Sequence, residues 1–481
     1  MGGGRLSWAV RILAVLIAGQ VIASAAVLVV RQSPSHAAAL VRSSPAPSTT
    51  TSLLPDPTTL PPPPPPSTSS PPSTARAVAP PPKLPADPVA RLTARLDAAL
   101  GGVRACLVVQ DTGATAYSRS ADLALAPAST QKLLVAVAAL NRLGPDYRFQ
   151  TTVVAPARPA ADGTVNALWL VGGGDPMLGT PDYAAYLASQ PRSVGSPVTP
   201  MASLVDQLAA AGVRNVKQGV IGDDTRYDGP HWLAGWKPIY RDEADISPLT
   251  ALTVNGGLDR WQPSEVVTAD PTALAAAQLA KLLAAHGASV TPGPSQARPA
   301  NGVVLASVSS APLSDIVASM LRSSDNLAAE LIVKEIDKQA GGTGTTAGGL
   351  ATVAATVQRL GIPIAGLHMG DGSGLDPGDR ATCPTLLAAL NMGDRSGFGA
   401  ITNGLAVAGQ SGTLVNRFRG TPLAGHLAAK TGSIDCAVAM VGRLDLAAPF
   451  RFALIVNGPC DYNAAIAYED RVATAMAAYP N

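Results

Sequence analysis

Hydrophobic positions along the chain fall into short runs of two periods. Gly102 to Gln110 is a nearly unbroken apolar stretch and reads as a buried strand; Tyr147 to Val154, Val216 to Ile221 and Gly302 to Val308 read as further strands. Gln131 to Leu140 is apolar at helical spacing and follows Pro127 and Ser129, a helix-start signal. Helices are also predicted over 201–212, with a glycine stop, over the alanine-rich Pro271 to His286, over Ser314 to Leu321, over Asn326 to Ile336 and over Ala464 to Ala478. Val438 to Leu446 and Phe450 to Val456 form two strands around an Ala-Ala-Pro turn, a hairpin. A hairpin beside helices predicts an α+β (mixed α/β) domain with an antiparallel sheet rather than a doubly wound parallel one. There are no internal repeats.

The first 87 residues break this pattern. Arg5 and Arg11 precede the apolar run Ile12 to Val30, long enough to cross a bilayer and oriented with the remainder outside. Ala23-Ser24-Ala25 also fits a signal-peptide cleavage site, so residues 1–32 are a signal-anchor or a signal peptide; both export the chain. Residues 33–87 are rich in Pro, Ser and Thr, with Pro61 to Pro66 uninterrupted, and bury too little apolar surface to fold. As polyproline at about 3.1 Å per residue they form a tether with a reach on the order of 150 Å.

Of 481 residues 47% are hydrophobic, enough for a sizeable core, and the formal charge of +2 provides no electrostatic footprint for nucleic acid. The four cysteines, Cys106, Cys383, Cys436 and Cys460, make no CxxC pair, and the five histidines are scattered, so zinc-site spacing is absent. An even count suits two disulfides in an exported protein. Cys436 lies just before the first hairpin strand and Cys460 just after the second; antiparallel pairing would bring them together, and this disulfide is expected.

Chemistry enters with Ser129-Thr130-Gln131-Lys132. Three residues apart at a helix start, the serine and lysine project from one face. A serine hydroxyl needs a base to become a nucleophile, and a lysine serves only if its pKa is lowered. The helix N-terminus suits a developing anion. Alone, S-x-x-K more often marks a helix cap and a surface lysine. Here it is joined by Ser324-Asp325-Asn326 between two helices and Lys430-Thr431-Gly432 at the entry to the hairpin. The chain holds one S-x-x-K, one S-x-N and one K-T-G, in the order and contexts of active-site serine enzymes.

These three motifs resemble those of penicillin-binding proteins and serine β-lactamases. Gly172-Gly-Gly-Asp175-Pro176, Gly222-Asp-Asp-Thr-Arg-Tyr227, Asp371-Gly-Ser373-Gly-Leu375, Gly412-Thr413-Leu414 and Lys430-Thr-Gly-Ser433 resemble the class C low-molecular-mass D-Ala-D-Ala carboxypeptidases/endopeptidases, peptidase family S13, over about residues 90–480. The resemblance implies a penicillin-binding-protein transpeptidase-like fold with an inserted domain: 88–154 and 301–481 catalytic, 155–300 inserted. About 190 residues separate Lys132 from Ser324, far more than a minimal serine β-lactamase fold places there, and the insertion at roughly 155–300 is shorter than a full two-domain insertion.

The resemblance further implies roles. Ser129 is acylated, Lys132 is its base, and Ser324 with Lys430 serves the leaving group. Asn326 binds the substrate's peptide carbonyl, and Thr431 and Ser433 take the terminal carboxylate. The N–H groups of Ser129 and Ser433 form the oxyanion hole, and Gly432 is grouped with Thr431 and Ser433 among the substrate-binding residues. Asp175 faces either a substrate amine or its own turn. Ser373 is read as a loop residue, since G-x-S-x-G is not satisfied. No metal or cofactor is required. The implied partners are peptidoglycan peptides ending in D-Ala-D-Ala, β-lactams as covalent inhibitors, and a membrane through the N-terminal segment. Two rival readings are a β-lactamase, which lacks a compelling deacylating glutamate here (Glu243 and Glu265 are the glutamates between Lys132 and Ser324), and a non-enzymatic peptidoglycan-binding scaffold, against which the complete motif set argues.

Overall fold

Strand Arg104–Asp111 alternates its apolar side chains between two cores. Cys106 and Val108 enter one; Ala105, Leu107 and Val109 enter the other. A strand with both faces covered has no polar face to show, which is why it reads as a continuous apolar run. The computed structural model describes residues 87–294 and 296–480, all within one compact unit; the expected anchor or signal segment, and all of the expected tether but Asp87, lie outside them.

Arg104–Asp111 belongs to a six-stranded antiparallel sheet in the order Ala406–Val407, Leu427–Ile434, Ala437–Leu444, Phe450–Asn457, Arg104–Asp111, Ala114–Arg119. Helices Pro88–Leu100 and Tyr462–Ala477 cover one face, burying Leu92, Leu96, Val472 and Met476 against Leu107, Met440 and Leu454. The first of these helices starts where Asp87 caps the amides of Val89 and Ala90 with Pro88 at its first turn, and stops at Gly101, φ 53°.

On the other face, helices Lys132–Arg142 and Asn326–Gln339 run through the core, with every residue from 132 to 140 and from 327 to 337 buried. Leu313–Ser323 and Cys383–Asn391 pack beside them. The Cys106–Cys383 disulfide ties the sheet to the last of these across 277 residues, and Cys436–Cys460 closes a loop of 24.

The expected hairpin is two strands of a three-stranded meander. Leu427–Ile434 is a full strand paired along Ala437–Leu444, so Lys430 sits mid-strand opposite Val441 rather than at a hairpin entry. Its interruption by Lys, Thr, Gly and Ser hides it from an apolar-run criterion.

The inserted region holds a four-stranded sheet in the order Val303–Ser309, Gln150–Ala155, Leu168–Val171, Val220–Asp223, covered by helices Ala202–Ala210 and Pro271–Ala285. The expected boundaries at 155 and 300 cut through this sheet. Gln150–Ala155 and Val303–Ser309 pair with each other, and Val153, Ala155 and Ala306 pack with Leu168, Leu204 and Leu279 in the insertion's own core. This sheet therefore spans the chain from Gln150 to Ser309. The strand expected over Val216 to Ile221 divides into Asn215–Val216 and Val220–Asp223, because Gly219 takes φ 74° between them.

Candidate active site

Ser129 lies on a single 3-10 turn, Ala128–Gln131, that feeds directly into helix Lys132–Arg142. The turn eclipses positions three apart. Lys132 Nζ accordingly lies 2.9 Å from Ser129 Oγ, and it also donates to Asn326 Oδ1 at 2.7 Å and to the Ser373 carbonyl at 2.5 Å. The lysine is fully buried and the serine nearly so. Burial lowers the Lys132 pKa to about 8, while Asp371, Glu330 and Asp325 hold it from falling further.

The second motif is shaped by a backbone exception. Helix Leu313–Ser323 ends on Ser324 in the left-handed region, φ 64° and ψ 42°. For a residue with a side chain that conformation costs about 1 kcal/mol. It reverses the chain so that Asp325 caps the next helix through Ala328 N (2.9 Å) and Asn326 becomes its first residue. Asn326 Nδ2 donates to the Asp245 carbonyl at 2.8 Å, which turns Oδ1 toward Lys132.

The third motif comes from the sheet. Lys430 Nζ reaches Ser324 Oγ at 2.9 Å and the Thr431 carbonyl at 2.5 Å. It is fully buried; burial, then the Lys132 and Arg192 cations, push its pKa well below the usual lysine range, with Glu469 opposing. Thr431 Oγ1 donates to Thr413 Oγ1 at 2.7 Å. A Cβ on Gly432 would lie 2.8 Å from the Pro127 carbonyl oxygen and 2.9 Å from Ser129 N, so only glycine lets this strand press against the serine's turn. Ser433, half-buried, follows it on the strand opposite Val438.

Five of the expected residues, Ser129, Lys132, Ser324, Asn326 and Lys430, are thus linked by hydrogen bonds into two serine–lysine pairs, and Thr431, Gly432 and Ser433 continue the strand alongside. Asp175 is not linked to them. It is 2% exposed, its Oδ1 accepts from Met177 N at 2.8 Å within its own turn, and burial raises its pKa to about 6. No hydrogen bond among the described residues joins it to the motifs, so of its two expected settings the local turn is the one observed.

Several participants escaped the sequence reading. Thr413 was visible only as part of a family-like segment. Asp245 contributes a backbone carbonyl, which no side-chain pattern reveals. Arg192, on a loop of the insertion, donates to the Ser323 carbonyl at 2.7 Å beside the Ser324 turn. Asp371 gathers the amides of Gly374, Leu375 and Asp376 and the Trp236 indole N–H, at 2.6 to 3.0 Å. Gln131, the residue before Lys132, donates to the Asp371 carbonyl at 2.7 Å and to Asp379 Oδ2 at 2.9 Å. Burial and the neighbouring Asp371 raise the Asp379 pKa well above the usual carboxylate range.

A helical layer against an antiparallel sheet, with serine–lysine pairs where they meet, defines the penicillin-binding-protein class. Penicillin-binding protein 4 from Haemophilus influenzae superposes with a TM-score of 0.66 at 20% identity, over 81% of this chain and 98% of that one. The same protein complexed with a β-lactam superposes at 0.58 with 19% identity, over 81% and 99%. The model of the D-Ala-D-Ala carboxypeptidase 3 (S13) family matches residues 89–265 and 259–479, and the chain belongs to that family. It is 30% identical to the D-alanyl-D-alanine carboxypeptidase of Actinomadura sp. (strain R39), over 80% of this chain and 83% of that protein. It is 33% identical to Carboxypeptidase DacB of Mycolicibacterium smegmatis, over 71% and 73%.

Proposed function

We propose that this protein is a serine-type, extracytoplasmic D-Ala-D-Ala carboxypeptidase/endopeptidase that cleaves peptidoglycan stem peptides through an ester on Ser129. The observation that carries this reading is the 2.9 Å approach of Lys132 Nζ to Ser129 Oγ, with a second lysine–serine pair, Lys430 and Ser324, at the same distance.

In the proposed sequence neutral Lys132 takes the Ser129 proton as Oγ attacks the carbonyl of the penultimate D-Ala. The oxyanion is held by the amides of Ser129 and Ser433. Asn326 receives the substrate's peptide carbonyl, and Thr431 and Ser433 take the terminal carboxylate. Ser324 hands its proton to the departing amine and is reprotonated, by way of Lys430, with the proton that Lys132 took from Ser129, so that Lys132 is neutral again; the C–N bond breaks and D-Ala, or a cross-linked strand, leaves. Water then attacks the ester, gives a proton back to Ser129, and releases the shortened peptide. A β-lactam opened by Ser129 forms the same ester and inhibits the enzyme. Two disulfides among the described residues favour an oxidising compartment. No helix of the described residues is long and apolar enough to cross a membrane, and the proposed anchor falls outside them.

The test is covalent labelling with a fluorescent penicillin. The wild-type protein is expected to carry one stable label, and Ser129→Ala none. A label of equal intensity on Ser129→Ala refutes the nucleophile. Rapid β-lactam hydrolysis without a label would favour a β-lactamase, and neither signal would favour the scaffold.

A further inference from the structure

Lys132 Nζ has three close oxygen neighbours, and two of them, Asn326 Oδ1 and the Ser373 carbonyl, can only accept. A neutral amine offers two N–H bonds and one lone pair. With both N–H bonds engaged by those acceptors, the lone pair is left pointing at the Ser129 hydroxyl, the direction a general base requires. Remove one acceptor and the amine can turn about its terminal C–N bond and donate to Ser129 instead.

Asn326 holds its place directly, as the first residue of helix Asn326–Gln339. Ser373 stands on a loop and needs an anchor. That anchor is on the same helix, four residues along. Glu330, with no exposed surface, accepts from Gly372 N at 2.9 Å and from Ser373 N at 2.7 Å, both through Oε1. The loop is pressed onto its supports on both sides. A Cβ on Gly372 would lie 2.6 Å from Val333 Cγ2 of that helix, and one on Gly374 (φ 82°) would lie 2.1 Å from the Ala128 carbonyl of the serine's turn. Glu330 Oε2 and Ser373 Oγ are buried without hydrogen-bond partners. A buried, half-satisfied carboxyl group is expensive for the fold alone, and such costs gather at functional sites.

We infer that Glu330 is a positioning residue for the reaction: by anchoring the Gly372 and Ser373 amides it fixes the carbonyl that aims the Lys132 lone pair at Ser129. The inference rests on the reading of Lys132 as the base. Burial and the Asp371 carboxylate raise the Glu330 pKa, with the Ser373 contacts and Lys132 opposing, which places its proton equilibrium in the same electrostatic group as the lysine's.

The experiment measures β-lactam acylation of the full chain, resolved into pre-acylation binding and the acylation step, for wild type, Glu330→Gln and Glu330→Ala. Glutamine keeps an oxygen for the two amides, so its acylation step is expected within about threefold of wild type; alanine removes the acceptor and is expected to lose about 100-fold in that step with binding changed less than about threefold. An alanine variant that acylates within threefold of wild type overturns the inference. So does a loss that falls on binding rather than on the acylation step. Should the alanine variant not fold, a folded glutamine variant as slow as 100-fold below wild type overturns it equally. Lys132→Ala separates the two claims: if it acylates at the wild-type rate, the base assignment has failed whatever Glu330 does.

Discussion

The helical layer and the sheet each bring a lysine to a serine, in opposite electrostatic settings. From the helical layer Lys132 faces Ser129 with the carboxyl groups of Asp371, Glu330 and Asp325 nearby. From the sheet Lys430 faces Ser324 with two cations, Lys132 and Arg192, among its strongest influences and Glu469 as the one opposing anion. Both lysines are buried, and burial disfavours either charge. The acids keep the first lysine protonatable near pH 8; the cations drive the second further down. One chemical pair is thereby tuned twice, which suits the proposed roles of a base that cycles its proton and a relay that passes one on.

The sharpest break of this comparison is Lys132→Ala. It should slow acylation about 10⁴-fold, since the base is lost from the attacking step, while the melting midpoint moves by less than about 5 °C. Stopped-flow acylation and calorimetry on one preparation check both parts. Lys430→Met should cost about 100-fold on a D-Ala-D-Ala peptide, whose leaving amine needs a proton. Its β-lactam acylation should suffer less, because the ring nitrogen remains tethered to the ester. Equal losses on both substrates would remove the division of labour.

The pH dependence sharpens the same point. Lys132 acts as a base only when neutral, and its pKa is about 8. Acylation should therefore fall about tenfold per pH unit below that value and level off above it. A profile flat between pH 5 and 9 would take the titrating base away from the helical layer.

The smallest effect concerns the cross-links. Cys106–Cys383 spans 277 residues and Cys436–Cys460 spans 24. On loop-closure entropy the Cys106→Ser/Cys383→Ser protein should be about 2 kcal/mol less stable than the Cys436→Ser/Cys460→Ser protein, as urea denaturation would show. The reverse order would mean that local constraint near the Lys430 strand outweighs chain entropy.

Much of this site could be read along the chain because its key residues sit in local elements. Ser129 and Lys132 are one turn apart, and Ser324 and Asn326 share one reversal. Lys430 to Ser433 share one strand, although the strand itself, crossed by polar residues, did not register as apolar periodicity. Gln150–Ala155 and Val303–Ser309 pair with each other although the expected domain boundaries part them from the segment between; as isolated runs they read alike whichever sheet they join. Glu330 lay in plain view within helix Asn326–Gln339, yet a glutamate at a helical position is ordinarily a solvated one.

By itself the sequence determined which groups could do chemistry, their grouping into three short motifs, and the alternation of strands and helices, because these depend on neighbours within a few residues. Only the tertiary structure put Lys430 within hydrogen-bond reach of Ser324, set Glu330 and Ser373 behind Lys132, and gave Asp175 its partner within its own turn. Those outcomes depend on contacts between segments up to 241 residues apart, such as Lys132 with Ser373. Burial there sets both geometry and proton affinity, and burial belongs to the packed molecule rather than to any stretch of chain.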